Sequence, residues 1–143
     1  MSQERYLLDT HALIFWCMQI DIAPEFITFL DKKAQEGHLF VSSATFWEVA
    51  LLAKKGRIEI ADVSEWMQFA LDRSGLRLLE ATADHMIQSV ALPDYHKDPF
   101  DRLLIAQAQD HGMHLVSRDQ IIQQYDVLIL SLIHITLPTT SRV

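Results

Sequence analysis

One stretch decides the fold: Asp98-Pro99-Phe100-Asp101-Arg102-Leu103-Leu104-Ile105-Ala106. An Asp-Pro step marks the start of a helix, because proline at the first helical position loses no hydrogen bond and the preceding aspartate accepts one from a free amide. The following turns are apolar almost all round, which indicates a buried helix. We therefore predict that Asp98 caps this helix and that Asp101 is held at a fixed position near its start.

On either side of this helix, short apolar runs alternate with helical segments along the chain. Strands are predicted at 5–8, 38–41, 77–80 and 114–117, with a last apolar run from 127, and helices at 11–19, 24–37, 43–55, 62–71, 82–92 and 98–112. Strands separated by helices predict a parallel sheet with helices on both faces. The expected fold class is α/β, a three-layer α/β/α sandwich with a central, mainly parallel sheet of four to five strands.

Composition narrows the class of protein. The 143 residues favour one domain, and with half of them hydrophobic the chain is typical of an ordinary globular protein. The formal net charge of -7 argues against a surface that binds phosphates all over. A single cysteine, Cys17, excludes an internal disulfide and a Cys-rich zinc site. The apolar runs are short and no cationic start precedes a hydrophobic block, so we predict a cytoplasmic protein without a membrane segment.

Four acids are the chemical signal in this pattern. Asp9 and Asp119 each follow a predicted strand, Asp101 lies in the first turn of its helix, and Glu48 lies about one and a half turns inside another. Each alone has a structural explanation, as a turn residue, a cap, an exposed helix residue or a partner of the helix dipole. Ligands of parallel sheets bind beyond the carboxyl ends of the strands, where these acids would meet.

Carboxylates that cluster without a cation repel one another, and a hard divalent metal removes that penalty. Mg²⁺ or Mn²⁺ takes oxygen ligands, activates water and offsets charge on a phosphodiester. The residues themselves therefore indicate a metal-dependent enzyme of phosphoryl transfer.

Four segments, in order, resemble the successive motifs of PIN-domain nucleases, and they are most similar to the VapC-type toxins of bacterial and archaeal toxin-antitoxin pairs. The segments are Tyr6-Leu7-Leu8-Asp9-Thr10-His11-Ala12-Leu13, Val41-Ser42-Ser43-Ala44-Thr45-Phe46-Trp47-Glu48-Val49-Ala50, His96-Lys97-Asp98-Pro99-Phe100-Asp101-Arg102-Leu103-Leu104-Ile105-Ala106-Gln107-Ala108 and Leu115-Val116-Ser117-Arg118-Asp119. The resemblance covers about residues 5 to 129. It implies Mg²⁺ or Mn²⁺ dependence, endonucleolytic cleavage of RNA, a cognate antitoxin and a homodimer.

The resemblance also implies roles for individual residues. Asp9, Glu48, Asp101 and Asp119 match the acidic quartet of the family. We expect Asp9 and Asp101 to be direct metal ligands, and Glu48 and Asp119 to bind directly or through water. Asp98 is either a further ligand or only the helix cap.

Further residues near these motifs are candidates for holding RNA. They are Arg102, Arg118, Lys97, His96 and Thr10, although Thr10 has an equally good explanation as a cap. The histidines show no zinc-ligand spacing. Apolar residues of the first and third helices predict a groove for an antitoxin helix or a homodimer face: Leu13, Phe15, Trp16, Trp47, Leu51 and Leu52.

Two other functions compete with a nuclease. A haloacid-dehalogenase-like phosphatase would need a second aspartate two positions after Asp9, where this chain has His11. A catalytically silent PIN-like module that acts through protein or RNA contacts would be expected to have lost part of the quartet. All four acids are present, which favours the enzyme.

The end of the chain departs from the family pattern. We predict a PIN domain over 1–130 and an atypical tail over 131–143. The run Leu130-Ser131-Leu132-Ile133-His134-Ile135-Thr136-Leu137-Pro138-Thr139-Thr140 resembles a translated transposon end from a sequencing library. We therefore treat the tail as a sequencing artefact and draw no function from it.

Overall fold

The computed structural model describes residues 3–72 and 75–132. Its strands are β1 (Tyr6–Leu8), β2 (Leu39–Ser42), β3 (Arg77–Leu79), β4 (His114–Ser117) and β5 (Ile129–Ser131). Its helices are α1 (Thr10–Met18), α2 (Pro24–Gln35), α3 (Ser43–Lys54), α4 (Val63–Leu71), α5 (Ala83–Ala91), α6 (Pro99–His111) and a 3₁₀ helix (Gln120–Gln124). Every predicted element is therefore present, with ends that differ by a few residues.

The strands form one sheet in the order β3-β2-β1-β4-β5, and every pairing is parallel. Leu8 at the end of β1 pairs with Val41 of β2 and Val116 of β4. This register aligns the carboxyl ends of the three central strands. Asp9, the residue after β1, therefore lies level with Ser42 and Ser117, the last residues of β2 and β4.

The sheet is covered on both faces, as the predicted three-layer sandwich requires. Tyr6 and Leu8 lie in one buried cluster with residues of α1, α2 and α4. Leu7 lies in a second cluster with residues of α6 and the 3₁₀ helix. Successive side chains of a strand point to opposite faces, so one short strand contributes to both cores. The predicted fold class is confirmed.

Local capping explains where several helices begin. Asp98 accepts a hydrogen bond from the Phe100 amide at 2.8 Å with Pro99 following it, and α6 ends where Gly112 takes a φ of 64°. All residues from Leu103 to Ala108 are buried. The segment that begins at Asp98 is thus a buried helix with the predicted cap at Asp98 and the predicted end at Gly112.

The predicted surface groove needs correction. Leu13 and Trp16 are fully buried in the core, because α1 is covered by the sheet on one side and by α2 on another. The prediction that they line an exposed groove is wrong. Trp47 is 61% exposed, so α3 does present one large aromatic side chain at the surface.

The helices and the carboxyl-terminal tail bear on two further predictions, the absence of a membrane segment and an atypical tail. Within residues 3–72 and 75–132, no helix is long and apolar enough to cross a membrane. Ser131 ends β5 and Leu132 is buried against the core. Residues 133–143 of the predicted tail lie outside the described residues.

Candidate metal centre

An open cleft of about 410 Å³ lies at the carboxyl edge of the sheet. It is lined by Asp9, His11, Phe15, His96, Asp98, Asp101, Arg118 and Asp119. Three of the four predicted acids therefore share one cleft, together with Asp98.

Asp9 is the most buried of these acids, with 6% of its surface exposed. One carboxylate oxygen accepts a hydrogen bond from the Ala12 amide at 2.8 Å, so Asp9 caps α1. The Ser117 side chain is a further hydrogen-bond partner of the Asp9 carboxylate. The Ser117 hydroxyl oxygen also accepts from the Asp119 amide at 3.0 Å. Ser117, the last residue of β4, thus contacts both Asp9 and Asp119.

Glu48 reaches the cluster from α3, through a contact with α1. The Thr10 hydroxyl donates a hydrogen bond to Glu48 Oε1 at 2.5 Å, and Thr10 is only 2% exposed. Thr10 is therefore occupied in orienting a carboxylate, and this contact does not support the prediction that its hydroxyl binds RNA.

The charges of the acids act on one another. The pKa of Asp101 is raised from 3.8 to about 8, first by burial and then by the charges of Asp98, Asp9, Glu48 and Asp119. Burial is also the largest cause of the raised pKa of Asp9 and of Glu48. Five carboxyl groups from four separate segments thus share one electrostatic environment. A cation at this place would relieve both the desolvation and the repulsion.

His96 lies between two of the acids. Its Nε2 is 2.7 Å from Asp119 Oδ2 and 3.0 Å from Asp101 Oδ2. Possible ligand atoms of these three residues all lie within 4.8 Å of one another. The sequence predicted His96 as an RNA contact, whereas its imidazole faces the carboxylates.

The two arginines beside the acids have different surroundings. Arg102 donates to the carbonyl oxygens of Val90, Leu92, Pro93 and His96 at 2.9 to 3.2 Å. Arg118 lines the cleft, with its guanidinium 4.4 Å from the centre of the Phe15 ring, and it also donates to the Asp21 carbonyl. The donors of Arg102 hold the loop between α5 and α6, and these contacts do not support the prediction that Arg102 binds RNA phosphates. Arg118 and the exposed Lys97 remain candidates for phosphate contacts.

We expect Arg102→Ala to lower the free energy of unfolding by about 3 kcal/mol, because several charge-assisted hydrogen bonds are lost together. Arg102→Lys should recover less than half of this loss, since an ammonium lacks the planar fork of donors. Urea denaturation of the three proteins measures the effect. Arg57→Ala, at an exposed arginine, is the matched control and should change stability by less than about 0.5 kcal/mol. Equal stability of Arg102→Ala and the parent would contradict the assigned role.

A second group of potential ligands, His85, Asp110 and His111, lies away from the cleft. His85 Nδ1 accepts from the Thr82 amide at 3.0 Å, which leaves the ring hydrogen on Nε2, 2.9 Å from Asp110 Oδ2. A neutral imidazole in this tautomer has no free nitrogen lone pair for a metal. We assign His85 to the capping box of α5, where it also faces Thr82 Oγ1.

Sequence reasoning missed the part that Tyr125 has at this site. Its hydroxyl accepts from the His96 amide at 2.8 Å and donates to the Pro93 carbonyl at 2.7 Å. Tyr125 is 5% exposed and follows the 3₁₀ helix. No local sequence pattern predicts a contact between residues that are 29 positions apart.

Comparison with known proteins gives matches along most of the chain. The family model described as PIN domain matches residues 6–128. Ribonuclease VapC22 of Mycobacterium tuberculosis (strain ATCC 25618 / H37Rv) is 32% identical over 118 residues, which cover 80% of this chain and 86% of that protein.

Solved structures share the fold at low sequence identity. A FitAB complex bound to an IR36 DNA fragment has a TM-score of 0.67 at 18% identity, covering 94% of this chain and 99% of the other. DNA-bound VapBC from Salmonella typhimurium has a TM-score of 0.67 at 15% identity, covering 90% and 98%. A toxin-antitoxin complex from Klebsiella pneumoniae has a TM-score of 0.59 at 24% identity, covering 88% and 96%. With its parallel sheet, its acids at the carboxyl edge and a family match across nearly all described residues, the chain belongs to the PIN-domain family.

Proposed function

We propose that this protein is a metal-dependent endoribonuclease that hydrolyses RNA phosphodiester bonds, as the toxin of a toxin-antitoxin pair. The observation that carries the proposal is the convergence of Asp9, Asp98, Asp101 and Asp119 on one cleft. Burial and the charges of the neighbouring acids raise the pKa of Asp101 to about 8, which agrees with this convergence. A PIN domain with such a cluster is suited to divalent-metal chemistry. The relative named Ribonuclease VapC22 supports RNA as the substrate.

The acids present fit a hard divalent cation, because each offers carboxylate oxygens and no softer ligand is needed. Asp9 and Asp101 would hold Mg²⁺ or Mn²⁺ directly, and Glu48 and Asp119 directly or through water. Asp98 already caps α6 through Oδ1, so it would join the ligands through its other carboxylate oxygen. When bound, the ion supplies charge that offsets the phosphate and lowers the pKa of a coordinated water.

The chain's own residues prepare the cleft for this chemistry. Ser117 and Thr10 orient the buried carboxylates before any ligand arrives. Arg118 provides a cation on the wall of the cleft, where it would attract and orient an RNA phosphate. Fixed groups of this kind lower the barrier because they need not reorganise during the reaction.

We further propose a cognate antitoxin as a protein partner, a homodimer as the assembly and the cytoplasm as the location. Solved relatives titled as toxin-antitoxin complexes support the first of these. The exposed Trp47, on α3 and next to Glu48, offers an apolar contact close to the cleft. The competing function, a silent PIN-like binding module, is disfavoured because all the acids are present and converge.

The test is cleavage of a panel of end-labelled RNAs by the purified protein. We expect cutting at defined positions with Mg²⁺ or Mn²⁺, complete loss in EDTA, and recovery when excess Mn²⁺ is added back. Internal products distinguish an endonuclease from an exonuclease. Absence of cutting across the panel, with RNA binding retained, would favour the silent module instead, and cutting that persists in EDTA would refute the metal dependence.

A further inference from the structure

His96 bridges two carboxylates that belong to different elements. Asp101 lies in the first turn of α6, whereas Asp119 caps the 3₁₀ helix beyond β4. Both point an Oδ2 atom at the same imidazole nitrogen, at 3.0 and 2.7 Å. Only 12% of the His96 side chain is exposed, so this contact is largely shielded from solvent.

The hydrogen bond of the other ring nitrogen, Nδ1, determines whether Nε2 carries the ring hydrogen. His96 Nδ1 accepts a hydrogen bond from the Asp98 amide at 3.1 Å, so Nδ1 presents its lone pair to that donor. The ring hydrogen is therefore on Nε2, where Asp119 Oδ2 accepts it at 2.7 Å and Asp101 Oδ2 lies 3.0 Å away. In this tautomer His96 donates to Asp119, and neither nitrogen is available to bind a metal.

The backbone of His96 is held in place on both sides. Its amide donates to the Tyr125 hydroxyl at 2.8 Å, and its carbonyl accepts from Arg102 at 3.0 Å. Tyr125 and Arg102 also both hold the Pro93 carbonyl, at 2.7 and 2.9 Å. These bonds fix the backbone, and rotation of the imidazole out of the cleft would break the contacts of the ring itself with the Asp98 amide and with Asp119. The imidazole ring is thus held in a fixed position within the cleft.

We propose that His96 is a positioning residue of the metal centre, which donates from Nε2 to Asp119 beside Asp101 and keeps this contact when a divalent cation is bound. The hydrogen bond uses one lone pair of Asp119 Oδ2 and fixes this carboxylate beside Asp101, while the other carboxylate oxygen of Asp119 stays free of His96. His96 itself is not a ligand. This inference rests on the proposed function, because it concerns the same metal site.

The inference makes a quantitative prediction for metal affinity. Loss of a residue that orients metal ligands lowers affinity by about 10- to 100-fold, so His96→Ala should weaken Mn²⁺ binding by that factor. His96→Gln places an amide donor near the position of Nε2, and it should restore affinity to within about threefold of the parent. Titration of the metal-free proteins with Mn²⁺, followed by electron paramagnetic resonance of the free ion, measures both.

The matched control is His38→Ala, a histidine at the amino end of β2, on the opposite edge of the sheet from the cleft. Circular dichroism establishes that each variant is folded, and Tyr125→Phe, which removes an anchor of His96 without touching an acid, should weaken Mn²⁺ binding in the same direction. Electron spin echo measurements on the Mn²⁺ complex should show no directly bound imidazole nitrogen.

Each opposite result has a distinct meaning. Tighter Mn²⁺ binding by His96→Ala would show that His96 competes with the ion, and unchanged binding would show that it has no role there. A directly bound nitrogen would make it a ligand. Any of these overturns the inference while leaving the proposed nuclease intact. A parent protein that neither binds Mn²⁺ nor cuts RNA would refute the proposed function, and the inference with it.

Discussion

Replacement of Asp9 by asparagine is expected to lower metal-dependent RNA cleavage by roughly 10³-fold, the scale of losing one main electrostatic contributor to catalysis. Asp9 is 6% exposed and lies where β1 ends between β2 and β4. Asparagine keeps the oxygen that accepts from the Ala12 amide, so the cap on α1 and the fold should survive. The variant therefore loses a charged ligand oxygen and little else. Single-turnover cleavage of a labelled RNA, at saturating protein, measures the loss.

The matched control for Asp9→Asn is Glu59→Gln, which neutralises an acid outside the cleft, in the loop before α4. It should cleave at the rate of the parent. Cutting by Asp9→Asn at a rate equal to that of Glu59→Gln would contradict the proposed metal role and would point to a contaminating nuclease.

Replacement of Asp101 by asparagine is expected to stabilise the metal-free protein while it abolishes cleavage. The pKa of Asp101 is about 8 in the folded protein, against 3.8 for an ordinary aspartate side chain. The folded state thus keeps a proton that the unfolded chain has released, so stability falls as pH rises from about 4 to 8. One pKa unit corresponds to about 1.4 kcal/mol. Asp101→Asn should therefore gain at least about 1.4 kcal/mol over the parent at pH 8, and little at pH 4.

Urea denaturation in EDTA between pH 4 and pH 9 measures this difference. Added Mg²⁺ or Mn²⁺ should make the parent more stable than Asp101→Asn. A ligand at 100 times its dissociation constant stabilises the folded protein by about 2.7 kcal/mol, and the variant has lost part of the metal site. Asp110→Asn, at an acid bonded to His85 on the far end of α6, is the control and should leave the pH slope unchanged. A variant less stable than the parent at pH 8 would contradict the repulsion that we infer among the acids.

The sequence predicts the role of Asp98 more completely than the role of Asp101. That Asp98 caps α6 was predictable, because a cap depends on residues two or three positions away. That Asp101 shares a site with Asp9 and Asp119 required the parallel sheet, which the alternation of strands and helices also predicted. The raised pKa of Asp101 was not predictable, since it depends on burial and on distances between separate segments.

The contacts of the polar residues around the acids depend on the tertiary structure. Thr10 and Arg102 stand next to acids or within their motifs, and adjacency suggested contact with RNA. In the fold, Thr10 is buried against Glu48, 38 positions away, and Arg102 holds carbonyls of a preceding loop.

The sequence by itself determined the helix from Pro99 to His111, its cap, the parallel sheet and the acids at its edge, because these follow from local hydrogen bonding and from the period of apolar residues. Only the tertiary structure decided the role of His96, whose partners Asp119 and Tyr125 lie 23 and 29 positions away. The physical reason is that a side-chain hydrogen bond depends on positions in space to within about an ångström. No spacing along a chain specifies positions to that accuracy.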